Sequence, residues 1–216
     1  MDSLTGIFLG SFLIGFSGAM MPGPMFVVVV GQSPRRGFMA GPLVVLGHAL
    51  LEATLVGAVI LGLAELISAP PVISAVAVIG GLVLLYMGAD MLRSAGRLSL
   101  FGADGTDRAV TGNGPHPVLS GILTSLANPY WSIWWATVGL GYLLIARELG
   151  YAGLAAFLTG HILSDLVWYT AVSSLVSGGR RWLTDRIYRG LIRVCAVGLL
   201  FFAIYFGWHG LSGIQV

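Results

Sequence analysis

The amino-acid sequence predicts an all-α membrane protein of six transmembrane helices, built as two inverted three-helix repeats with spans one and four broken. Three observations lead there. The first is composition: 56% of the 216 residues are hydrophobic and 9% are charged, where a soluble domain carries about 25% charged residues. The second is a succession of apolar runs, each long enough to cross a bilayer. The third is a self-similarity between the two ends of the chain.

Composition alone excludes a soluble globular domain, a disordered chain and a nucleic-acid binder with a basic face. A lone Cys195 excludes a disulfide framework and a relay of two thiols.

The apolar runs lie near residues 4–33, 38–67, 72–93, 117–146, 150–177 and 188–209. A straight crossing of a ~30 Å hydrocarbon core takes about 20 residues, so the longer runs are expected to tilt or break. The short alternating segments of a barrel are missing. The first run offers small residues at Ser17, Gly18 and Ala19, but Asp2 is the only charge before Arg35. A cleaved signal peptide needs a positive region there, so the run is expected to stay as a span.

Arginine supplies every basic residue, and its placement sets the orientation. Arg35 and Arg36 follow span one, Arg93, Arg97 and Arg108 follow span three, and Arg180, Arg181, Arg186, Arg189 and Arg193 precede or open span six. All ten fall on one side, and only Arg147 falls on the other. The positive-inside rule then puts both termini outside the cytoplasm, in a multi-pass protein of the plasma (inner) membrane.

The polar stretch 94–116, rich in Gly and ending in Pro115-His116-Pro117, reads as a cytoplasmic linker between halves 1–93 and 117–216. Across it the sequence repeats. Gly37, Gly47-His48 and Glu52 match Gly150, Gly160-His161 and Asp165 without a gap. The break Pro22-Gly23-Pro24 in span one has a counterpart in Asn128-Pro129 in span four, and Tyr86-Met87-Gly88 is echoed by Tyr205-Phe206-Gly207. Three spans per half make the second half inverted, an architecture common among transporters.

Proline inside a span removes a backbone hydrogen bond. Pro22, Gly23 and Pro24 should therefore interrupt span one, and Asn128-Pro129 span four, with Asn128 capping the following half-helix. Backbone groups freed in lipid must be buried or line a wet cavity, which makes these five residues the candidate transport path. His48 with Glu52, and His161 with Asp165, are four apart and share a helix face near mid-membrane. An unpaired carboxylate there costs ~3 kcal/mol, so such groups are functional candidates. Each in-helix histidine is the expected partner of its own carboxylate. The two pairs are expected to carry a coupling ion or proton, wetted from opposite sides as the two halves rock.

Trp131, Trp134 and Trp135 read as interface or packing aromatics. Gly15-Phe16-Ser17-Gly18 matches a rhomboid-protease motif, but that serine belongs on a fourth span and Ser17 is on the first. The chain is not expected to be an enzyme.

Pro22-Gly23-Pro24, Arg36-Gly37, Gly47, Tyr86-Met87-Gly88 and Asn128-Pro129, in that order, resemble the lysine-exporter (LysE-type) family of amino-acid efflux proteins. The resemblance implies a secondary exporter of amino acids or similar small solutes. The absence of a Walker lysine agrees with that, and no cofactor is expected. Its partners would be a small-molecule solute and the lipid bilayer, with no nucleic acid; homo-oligomerisation stays open. One departure leaves an alternative. His48, Glu52, His161 and Asp165 are not features of typical amino-acid exporters of this family, and at mid-membrane they would suit a divalent metal ion in a metal-cation transporter.

Overall fold

A computed structural model describes residues 3–21, 23–63, 69–97, 115–178 and 184–212. Pro22, the end of the second apolar run, Arg108, Arg180, Arg181 and most of the 94–116 stretch lie outside the described residues. All the elements among the described residues are helical.

Helix α1 (Leu4–Ala19) begins where Ser3 accepts from Gly6 N at 3.1 Å. Its last turn closes with Met21 N donating to Gly18 O. Helix α2 (Pro24–Arg36) restarts with proline in its first turn, where the missing N–H costs nothing. The first apolar run is thus two helices. Gly37, at φ 65°, ends α2. A 3₁₀ turn leads into α3 (Ala40–Ala58), which runs on through a π-helical turn at Val59–Leu63. Helix α4 (Pro70–Ser94) opens on two prolines.

The fourth run is divided as well. Helix α5 (Pro117–Leu126) stops, and Asn128 caps α6 (Pro129–Trp134) by accepting from Tyr130 N at 3.1 Å. A π-helical turn, Trp135–Gly139, joins α6 to α7 (Leu140–Arg147). Helices α8 (Gly150–Gly178) and α9 (Asp185–Ser212) are continuous over 29 and 28 residues.

Three helical stretches among the described residues are long and apolar enough to cross a membrane: Pro24–Leu63, Pro70–Arg93 and Asp185–Ser212. Helices α1 and α5 are apolar but shorter. The surface is that of a lipid-facing protein. Leu13, Leu82, Tyr86, Phe201 and Ile204 are exposed, while Ser11, Ser33, Ser120, Thr124, Ser125, Ser164 and Ser173 are buried.

The long axial contacts are α4 with α9, α1 with α8, and α3 with α5. Small residues set the closest of these. A Cβ on Gly47 of α3 would strike the Val118 carbonyl, and one on Gly121 of α5 would strike that of Val44. Only glycine lets these backbones touch.

Two apolar clusters mark the ends of the molecule. One gathers Val29, Val30, Val44, Val45, Ala95, Tyr169, Val172, Tyr188 and Ile192. The other gathers Ile7, Val56, Trp135, Tyr142, Ala146, Leu154 and Phe157. Helix α3 runs from the first toward the second and α8 the opposite way.

Candidate functional site

Between those clusters lie His48 and Glu52 on α3 and His161 and Asp165 on α8. The four side chains are buried, with Glu52 at 0% exposure. They form one cluster rather than two separate pairs. Glu52 Oε1 is 3.1 Å from His48 Nε2 on its own helix and 3.2 Å from His161 Nε2 on the other. His48 Nε2 is in turn 3.2 Å from Asp165 Oδ2. The spacing of four gives His48 its in-helix partner Glu52, whereas His161 reaches across to Glu52 and Asp165 is reached by His48, because α3 packs antiparallel on α8.

Residues the sequence reading passed over complete the cluster. Trp131 Nε1 and Trp135 Nε1 donate to Glu52 Oε1 at 3.1 and 2.9 Å. A hydrogen bond to a charged acceptor is worth roughly 1.5–3 kcal/mol, so these two groups go far toward offsetting the burial of Glu52. The signal was present in the sequence: two tryptophans four apart, just past a helix break, carry N–H groups that need buried acceptors.

Ser125 on α5 stands 2.7 Å from His48 Nδ1. Its hydroxyl also reaches Gly121 O at 2.7 Å, and its direction toward His48 follows the imidazole tautomer.

His161 is held by packing. Trp134 stacks on its ring with centroids 4.6 Å apart and planes at 22°. Helix α1 crosses it at Gly15, where a Cβ would come within 2.7 Å of His161 Nδ1.

The cluster borders a cavity of about 90 Å³, room for several water molecules. Gly23 and Pro24 from the first break and Asn128 from the second line it together with the four ionisable residues. Met21, Met25, Tyr130, Trp131, Trp134 and Phe202 supply apolar wall. Pro129 is the first residue of α6, immediately behind Asn128. Pro22 lies outside the described residues.

Each member of the tetrad offers one ligand atom, all within 4.8 Å of one another. Two indole N–H groups already point at Glu52 Oε1, and donors aimed at that oxygen would face a bound cation with like charge. The indole donors thus occupy one oxygen of Glu52, and its Oε2 has no hydrogen-bond partner among the described residues.

Residues 16–210 match the family model of the LysE type translocators. A protein of Bacillus subtilis (strain 168) that carries the name amino acid efflux protein YcgF is 26% identical over 95% of this chain and 97% of its own length. The threonine efflux protein of Salmonella typhi is 31% identical over 72% of this chain and 75% of its own. The chemotactic transduction protein ChpE of Pseudomonas aeruginosa is 26% identical over 91% and 95%. No solved structure gives a significant match. The family model spans both helix breaks and all four buried ionisable residues, and the chain belongs to the LysE type translocator family.

Proposed function

We propose that this protein is a secondary exporter of amino acids, in which the His48–Glu52–His161–Asp165 cluster carries the coupling proton or cation. One observation carries the reading: Gly23, Pro24 and Asn128 of the expected path and the four residues expected to carry charge border a single cavity. The names of the relatives, amino acid efflux and threonine efflux, support amino acids as the solute. They do not favour a metal ion as cargo, and neither do the indole donors on Glu52.

The architecture in this reading is six spans in two inverted halves, 1–93 and 117–216. Backbone and packing support it. Gly37 and Gly150, which correspond in the repeat, both take a positive φ, 65° and 67°. Helix α1 packs on α8 as α5 packs on α3, the exchange a two-fold relation would produce. Arg35 and Arg36 end α2, Arg93 ends α4, and Arg186, Arg189 and Arg193 open α9, all beside the cluster that joins Val29, Ala95 and Tyr188. Arg147 ends α7 beside the opposite cluster. This supports both termini outside the cytoplasm in the plasma membrane.

The test is efflux of labelled solutes from cells or proteoliposomes, with a panel of amino acids against a panel of divalent metals. Export of at least one amino acid, dependent on an imposed ion gradient, is the expected result. Metal efflux without amino-acid efflux would sink the reading.

A further inference from the structure

We propose that Trp135 is a positioning residue for Glu52 in the transport step, with Trp131 as its companion and Gly139 as its seat. The inference rests on Glu52 being a coupling carboxylate. Trp131 and Trp135 lie one turn apart on the segment after the Asn128 break, and both send their N–H to the same oxygen. Trp131 also lines the cavity. Trp135 is 1% exposed and stands behind the cavity wall, so it reaches the solute path through Glu52.

The backbone supports this aim. Trp135 opens the π-helical turn Trp135–Gly139, a geometry that is rare and concentrated at functional sites. A Cβ on Gly139 would come within 2.6 Å of Trp135 Cε3 and 3.0 Å of Trp134 Cζ3. Both indoles therefore rest against a bare backbone. The contacts run from Gly139 to Trp135 to Glu52.

The result is a carboxylate pinned by one oxygen. Oε1 takes both indoles and both imidazoles, while Oε2 has no hydrogen-bond partner among the described residues. Glu52 is held nearly midway between the two rings, at 3.1 and 3.2 Å, and does not need to swing to answer either. The titratable side chains around it are His48 on α3, His161, Asp165 and Tyr169 on α8, and Tyr130 on α6.

Trp135→Phe keeps a ring in the pocket and removes the N–H. In proteoliposomes carrying labelled L-threonine, turnover should fall about tenfold, apparent KM should stay within twofold, and the pH profile of efflux should be displaced. Gly139→Ala, which reaches Glu52 through the Trp135 indole and, by way of Trp134, through His161, should give the same pattern. A second measurement needs no substrate. Acidifying the purified protein should change its tryptophan fluorescence, a response lost in Glu52→Gln and at least halved in Trp135→Phe. This arm decides the matter if threonine is not carried. Wild-type turnover and wild-type fluorescence response in Trp135→Phe, or an effect confined to KM, would overturn the proposal. If Glu52→Gln exports fully, the coupling reading has failed first. If it is inactive while Trp135→Phe behaves as wild type, only the present inference falls.

Discussion

His48 on α3 lies 3.2 Å from Asp165 on α8, a contact that neither helix makes alone. Together with the Glu52–His161 contact at 3.2 Å it ties the two helices at their buried midpoint. Each carboxylate is thereby served from the partner helix, which for Glu52 adds to the contacts with His48 and the two indoles.

Removing charge while keeping shape tests the cluster directly. Glu52→Gln or Asp165→Asn is expected to abolish net export and leave the protein inserted, because an amide cannot exchange a proton. Isotope efflux and recovery of folded protein from the membrane give the two readouts. Full export by the double variant would reduce the cluster to a structural tie.

Ser125→Ala removes the hydroxyl that faces His48 Nδ1 at 2.7 Å. A buried ring nitrogen left without a partner costs about 1–3 kcal/mol. Thermal unfolding in detergent should show a lower midpoint, with reduced efflux at equal protein. An unchanged midpoint would mean that water or another group replaces the hydroxyl.

Packing between α3 and α5 predicts an asymmetry between two glycines of α3. Gly47→Ala would drive a methyl into the Val118 carbonyl and should destabilise by about 2 kcal/mol or more. A Cβ on Gly57 meets nothing within 4 Å, so Gly57→Ala should be neutral or slightly stabilising. Equal unfolding midpoints for the two variants would contradict the close approach.

Orientation can be read with single cysteines in a Cys195→Ser background, since Cys195 is buried. An impermeant thiol reagent applied to intact cells should label Glu148→Cys and spare Asp104→Cys. The reverse pattern would invert the topology.

Much of this arrangement was legible in the sequence because it depends on local chemistry. Pro24 and Asn128-Pro129 restart helices where the sequence marks a break, although Pro34 sits inside α2, and the spacing of His48 to Glu52 and of His161 to Asp165 fixes a shared face. What one strand of text does not contain is which helix lies opposite. The cross-contacts of His48 with Asp165 and of His161 with Glu52 arise from α3 packing on α8, and Ser125 enters only because Gly47 and Gly121 bring α5 against α3. Trp131 and Trp135 were visible as a cluster, but an indole N–H gives no sign in sequence of where its acceptor lies. The two π-helical turns left no pattern either.

The pairing of helices also bears on how the molecule could move. Each of α1, α3 and α4 has its long neighbour in the other half of the chain: α8, α5 and α9 respectively. A hinge cut at the linker would have to peel all three seams apart. The α3–α5 seam resists this most visibly, because a Cβ on Gly47 would already strike the Val118 carbonyl. The most extensive helix contacts thus cross from residues 1–93 to residues 117–216.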